Sequence, residues 1–226
     1  MHDSPRIMEG IMAEVVIERH GLEAVDADIL ADLEGLYAQA YHDSHMYTDL
    51  LKDMTLQPDI FQLFVARADG DIVGARVIET KAHGFIDYHG HTPVHGKRFS
   101  VSPEHRGQGI GAAIIEAGNS YCFNDLGLKA VFGESNEIGA LSLYGRQGAL
   151  YALGSIEKAL RRNTPAAARR LFTKFITDPE LRELRLPGSI PGGHDAVQFA
   201  YCRDQEVQEE FRGHGFVSYD ELVVAS

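Results

Sequence analysis

The chain has 226 residues, 44% of them hydrophobic, enough for one substantial core: one domain with an elaboration rather than two full domains. Its 33 acidic residues outweigh 21 basic ones for a formal charge of -12, which argues against a protein built to grip phosphate backbones and suits a cationic substrate or plain solubility. Two cysteines, Cys122 and Cys202, make no disulfide framework and read as packed thiols in a reducing compartment, and no apolar run approaches the roughly 20 residues that span a bilayer. The N-terminus MHDSPRIMEGIMAEVV lacks a basic leader ahead of a long apolar core, so the expectation is a soluble, cytoplasmic protein without membrane or nucleic-acid partners.

In chain order, IMAEVVIERH reads as a first strand, and Ile29, Leu33, Leu36, Tyr37 and Ala40 follow at helical spacing. HMYTDLLKDM reads as a second, shorter helix closed by Pro58. IFQLFVARADGDIVGARVIET gives two apolar, β-branched runs joined at Asp69-Gly70, a hairpin signal. The Gly- and His-rich stretch from Lys81 to Gly96 leads into a fourth strand ending near Val101. Ile110, Ile114, Ala117 and Tyr121 then share a helical face, KAVFGES is a fifth strand, and NEIGALSLYGRQGA is another helix. Residues Leu150 to Leu186 are predicted helical throughout, with a break at Asp178-Pro179, and form the elaboration, a helical insertion over 150–187. PGSIPGG is a loop, and AVQFAYC and FVSYDELVVA are two terminal strands. The sum is a mixed α/β domain around one sheet.

The junction FSVSPEHRGQGIGAAIIEAG places Gly107, Gly109 and Gly111 between a strand and a helix. A helix N-terminus presents unpaired N–H groups and a partial positive charge, so a ligand phosphate can be held by main chain alone, with Arg106 adding charge at the rim. A nucleotide-triphosphate loop needs Lys and Ser or Thr after its last glycine, where Ala112 and Ala113 stand, and GQGIGA lacks the dinucleotide spacing.

Arg106-Gly107-Gln108-Gly109-Ile110-Gly111 resembles the Gln/Arg-x-x-Gly-x-Gly/Ala signature of the Gcn5-related N-acetyltransferase (GNAT) superfamily, and ESNEIGALSLYGRQGA is similar to its second signature, with Asn136, Tyr144 and Gly148 at the matching places. The resemblance covers the elements from about Val15 to Gly148. It implies a GNAT-like, mostly antiparallel sheet flanked by helices, with acetyl-CoA in a V-shaped split between the fourth and fifth strands. It further implies that the backbone of Phe99, Ser100 and Val101 pairs with the pantetheine arm, that Gln108, Gly109, Ile110, Gly111 and Ala112 cradle the pyrophosphate, and that the Val101 N–H polarises the thioester carbonyl. Asn136 would contact the pantetheine or adenine end. The helical region beyond Leu150 departs from the family core and would serve as a lid, a dimer surface or a simple extension.

Acetyl transfer sets two chemical demands. An alkylamine of pKa near ~10.4 must lose a proton before attack, and the departing thiolate of a thiol near ~8.5 is best reprotonated by an acid, for which a tyrosine at ~10 is suited. Tyr144 is the candidate acid, with a core tyrosine as the alternative. Where related enzymes carry a glutamate or histidine six residues before the strand's last apolar residue, this chain has His95. Its even spacing to Val101 predicts that the two share a side. Glu134, at the end of the fifth strand, is the competing base or else a solvent-facing carboxylate. The cluster His83, Asp87, His89, His91 and His95 is read as a solvated or substrate-facing loop, not a metal site. Asp43, Asp49, Asp53 and Asp87 are possible attractants at the acceptor mouth. The expected activity is transfer from acetyl-CoA to a primary amine on a small molecule or peptide. The alternatives are a catalytically silent acyl-CoA-binding sensor or scaffold and a longer acyl donor, and a homodimer is open.

Overall fold

The computed structural model describes residues 15–21, 25–40, 60–82, 88–161, 164–186 and 196–224. Among these, eight strands form one sheet: β1 (Val16–Gly21), β2 (Phe61–Ala68), β3 (Asp71–Glu79), β4 (His95–Val101), β5 (Ala130–Ser135), β6 (Leu150–Ala152), β7 (Val197–Cys202) and β8 (Phe216–Ser218). Their spatial order is β1-β2-β3-β4-β5-β7-β6-β8, and only the β4–β5 pair is parallel. The β2–β3 turn sits at Asp69 (φ 52) and Gly70 (φ 96), the primed geometry that suits the twist of a hairpin.

Helix α1 (Ala27–Ala40) lays Ile29, Leu33, Leu36 and Tyr37 on one face of the sheet, against Leu63, Val65, Ala75 and Val77. The other face is covered by α2 (Ile110–Ser120), α3 (Ile138–Arg146), α4 (Leu153–Ala159) and α5 (Pro165–Thr177), whose Ile114, Leu141, Ile156 and Phe172 share a core with Phe64, Ile78, Val131 and Phe199. Helix α6 (Gln205–Gly213) returns to the α1 face, packing Val207 and Phe211 on Phe132 and Ala200, and α7 (Tyr219–Val224) ends the described chain.

Three elements differ from the expectation. Leu150–Ala152 is a strand between β7 and β8 rather than the start of a helical run, so the elaboration begins at Leu153. A buried three-residue strand is too short to show a period. FVSYDELVVA is strand only to Ser218, because Ser218 and Glu221 form a capping box, the Glu221 N–H donating to Ser218 Oγ at 3.2 Å and the Ser218 N–H to Glu221 Oε2 at 2.6 Å. Helix α6 has no counterpart among the expected elements, although Asp204 caps it by accepting from the Val207 N–H at 3.1 Å. The break at Asp178-Pro179 falls where α5 ends. The expected second helix HMYTDLLKDM and the loop PGSIPGG lie outside the described residues.

Candidate active site

The sheet divides in its middle. β4 and β5 share a single register pair, His95 with Phe132, backed by the Phe132 N–H donating to Val94 O at 2.9 Å. The β5–β7 ladder, by contrast, runs unbroken from Ala130↔Cys202 to Ser135↔Val197. Beyond the shared pair the two strands part toward Val101 and Ser135, leaving a V-shaped opening lined by backbone edges. On the α2 side Phe99 packs 5.7 Å from the Tyr144 ring, and Tyr144 lies 4.3 Å from Phe199 of β7. Tyr144 is thus buried beneath the split, where a core role and access to a group in the split are compatible.

The glycine turn lies at the β4 lip. Gly107 and Gly109 hold φ of 79° and 83°, left-handed backbone that disfavours any side chain, and no atom stands within 4 Å of where either Cβ would be. Gly109 is the N-cap of α2 and supplies no side-chain cap, so the first-turn N–H groups of Ile110, Gly111 and Ala112 are left without one. Gly111 has another purpose: a Cβ there would meet Leu143 at 2.9 Å and Phe99 at 3.0 Å, so its absence lets α2 approach the split. Gln108 donates to Glu104 O at 3.2 Å, bracing the turn. Open space, left-handed glycines and an uncapped helix start fit a pyrophosphate held by main chain.

The faces of β4 differ from the even-spacing expectation. Ala75, Val77 and Glu79 pair with Ser100, Lys97 and His95, so Arg98 and Phe99 together oppose Arg76 alone. This is a bulge, and Arg98 takes φ 49 within it. The extra residue reverses the alternation: His95, Lys97 and Ser100 face the α1 side, whereas Phe99 and Val101 face the α2 side, next to Gly111. His95 and Val101 therefore do not share a side. The Ser102 N–H donates to Val73 O at 2.9 Å, toward β3, so the preceding N–H, that of Val101, points the other way, into the split.

A polar group gathers on the α1 side. Glu79 and Lys97 form an ion pair beside His95, and Glu134 lies on the same face of β5, two residues beyond Phe132. The Tyr88 ring stands edge-on to Phe132 at 4.9 Å, and burial, then the Glu79 and Glu134 carboxylates, raise its phenol above the usual range. Burial pulls the His95 imidazole from 6.5 down to about 3, aided by Lys97 and Arg76, so it is neutral and a weak base at physiological pH. Burial likewise pushes the Cys122 thiol up to about 11 and that of Cys202 to about 12, which disfavours a thiolate nucleophile at either.

Asn136 sits at the opposite lip, and its carbonyl accepts the Leu186 N–H at 2.8 Å. The chain there doubles back: Ile138 and Gly139 donate to Leu184 O and Arg182 O at 3.1 and 3.0 Å, and Arg185 pairs with Glu137 at 2.6 Å. From this strap Glu183 reaches across to Arg106 at 2.7 Å, while Arg106 Nε donates to Val101 O at 3.3 Å. The segment after α5 therefore spans both lips of the split, a role that the sequence did not disclose.

Residues 59–148 match the acetyltransferase (GNAT) domain family. Over this stretch the chain is similar to a GNAT acetyltransferase domain. The GNAT fold is similar to that of an acetyltransferase from Streptococcus agalactiae 2603, at TM-score 0.52 and 14% identity over 83% of this chain and 98% of that one. It is similar also to PH1933 from Pyrococcus horikoshii OT3, at TM-score 0.50 and 17% identity over 84% and 100%. A GNAT family N-acetyltransferase (YhbS) from Escherichia coli, solved in complex with CoA, aligns at TM-score 0.47 and 19% identity over 70% of this chain and 76% of that one. No curated protein matches the sequence. The matched segment ends at Gly148, so the strap and everything from Leu150 onward lie beyond it.

His89 and His91 pack against the C-terminal part of the chain. His89 stacks on His214 at 4.3 Å, and His91 stacks on Phe211 and pairs with Glu210 at 3.2 Å. Among the described residues no group of three metal-ligating side chains forms. His83, Asp87, Asp43, Asp49 and Asp53 lie outside the described residues. No helix among the described residues is long and apolar enough to cross a membrane.

Proposed function

We propose that this GNAT domain moves an acetyl group from acetyl-CoA to a primary amine by direct attack, with no covalent enzyme intermediate. The observation that carries the reading is the sheet split, pinned at His95 and Phe132 and opening beside an uncapped helix start with two left-handed glycines. Acetyl-CoA supplies the thioester carbon that the amine attacks. Residues Gln108 to Ala112 hold its pyrophosphate by main-chain N–H groups, and the exposed edge of Phe99 to Val101 pairs with the pantetheine arm. The Val101 N–H, aimed into the split, stabilises the charge that develops on the carbonyl oxygen, a contribution of roughly 3–4 kcal/mol in comparable sites. Asn136 steadies the arm from the other lip.

The acceptor enters from the α1 side, where Glu134 is exposed and His95 is buried and neutral. Glu134, through water, takes the proton of the incoming ammonium. His95 is too weakly basic for that step and instead orients the water or amine. Tyr144 returns a proton to the departing thiolate from beneath. The test is thiol release from acetyl-CoA over a panel of polyamines, aminoglycosides, amino acids and peptide N-termini. Turnover of an amine by the native chain and its loss in Tyr144→Phe support the reading. Tight acetyl-CoA binding with no turnover of any amine would instead point to a silent acyl-CoA sensor.

A further inference from the structure

We propose that Tyr37 is a positioning residue for acyl transfer: its hydroxyl holds the β4 bulge at Arg98 and so sets the direction of the Val101 N–H. The inference rests on the acetyl-transfer reading only for what that N–H does. Tyr37 is 1% exposed, on the face of α1 that packs against Val65, Ala75 and Val77. A tyrosine buried to this extent must find a partner for its O–H. It donates to Arg98 O at 2.7 Å, the carbonyl of the residue at φ 49. Left-handed backbone is sterically costly for arginine, so the bulge needs a contact that favours it.

The opposing strand offers no slack. Arg76, the one residue facing Arg98 and Phe99, is 2% exposed and donates to Ile115 O at 3.1 Å and Asn119 Oδ1 at 3.0 Å. Its guanidinium also fills the space over Gly96, where a Cβ would meet Arg76 Nε at 2.9 Å. With β3 locked to α2, the additional residue has to be absorbed in β4. Were β4 to lose the bulge, every residue beyond Lys97 would exchange faces and every N–H would exchange edges. Val101 would then present its N–H to β3 instead of the split. Tyr37 touches no reacting atom, and its effect is transmitted through the peptide that it grips.

The test is a cycle of Tyr37→Phe, Arg98→Gly and the double variant, because glycine adopts φ 49 without help. In the free 15N-labelled protein, Y37F should move the Phe99, Ser100 and Val101 amide resonances, while those of Gly109 and Gly111 stay in place. With an amine that the native chain turns over, Y37F should lower kcat at least tenfold and leave the KM for acetyl-CoA within about threefold. Arg98→Gly should return most of both losses in the Y37F background. A packing role predicts instead that Y37F costs the same whether or not Arg98→Gly accompanies it, and that outcome overturns the proposal, as do unmoved Phe99–Val101 amides. Should Y37F alone not fold, the double variant read against Arg98→Gly makes the same distinction. If the native chain binds no acetyl-CoA, the functional reading falls, and the amide resonances still decide what Tyr37 holds.

Discussion

Gly109 holds φ 83 where the Cβ of any other residue would point into the open mouth of the split. Gly109→Ala therefore carries a strain of roughly 1–2 kcal/mol in the backbone. Its first consequence is functional: acetyl-CoA affinity measured by calorimetry should fall at least tenfold while the urea midpoint shifts only by that strain. Tyr144→Phe keeps the ring that packs on Phe99 and Phe199 and removes only the hydroxyl. Steady-state thiol release should then drop about 100-fold, at the lower end for loss of a general acid, with the thermal midpoint nearly unchanged. His95 makes a pH prediction. Its folded pKa of about 3 lies below the usual 6.5, so the unfolded chain binds the extra proton, and the stability held above pH 6.5 is lost as pH falls toward 3. Between pH 8 and pH 5 this amounts to about 2 kcal/mol, read from urea unfolding and flattened in His95→Asn. At this scale the glycine turn ahead of α2 was legible, because glycines closely spaced between a strand and a helix predict it, whereas the role given to Tyr144 came from the resemblance alone. The basicity of His95 was not legible, because it depends on burial beside Lys97 and Arg76.

The elements repeat the contrast. Apolar β-branched runs, the Asp69-Gly70 turn and amphipathic helical spacing are readable locally, and β2, β3, β5, α1, α2 and α3 fall where the sequence places them. The β4 bulge leaves no period. Counting by twos from His95 to Val101 fails because one residue of the strand opposes nothing, as the β3–β4 register and the positive φ at Arg98 reveal. Close approaches between elements are similarly hidden. Gly133 lets the Phe199 ring lie directly on β5, where a Cβ would collide with it. Gly133→Ala should cost about 1–3 kcal/mol of unfolding free energy by urea titration, as overpacking does, and should disturb the ring that supports Tyr144. If Gly133→Ala is neutral, Phe199 does not pack there as described.

At the scale of the whole molecule, one parallel pair in an otherwise antiparallel sheet creates an opening, and part of the chain beyond residues 59–148 bridges it. The strap from Arg182 to Leu186 is hydrogen-bonded to the start of α3 and ion-paired to Arg106, so it spans both lips of the split. Glu183 occupies a charge that a pyrophosphate would use. Glu183→Gln should tighten acetyl-CoA binding roughly 1.4- to fivefold at low salt, the range that an exposed ion pair of about 0.2–1 kcal/mol implies, and the gain should shrink as salt is added. The sequence disclosed an elaboration here but not its placement, since Arg106 and Glu183 are brought together only by the tertiary fold. The central claim, that the split and its glycine turn hold acetyl-CoA, is tested most directly by calorimetric titration of the purified chain with acetyl-CoA beside CoA and NADH. Micromolar binding of acetyl-CoA and CoA, with none of NADH, is the predicted result. A folded sample that binds neither thioester nor thiol would contradict it, and the acyl-transfer reading would go with it.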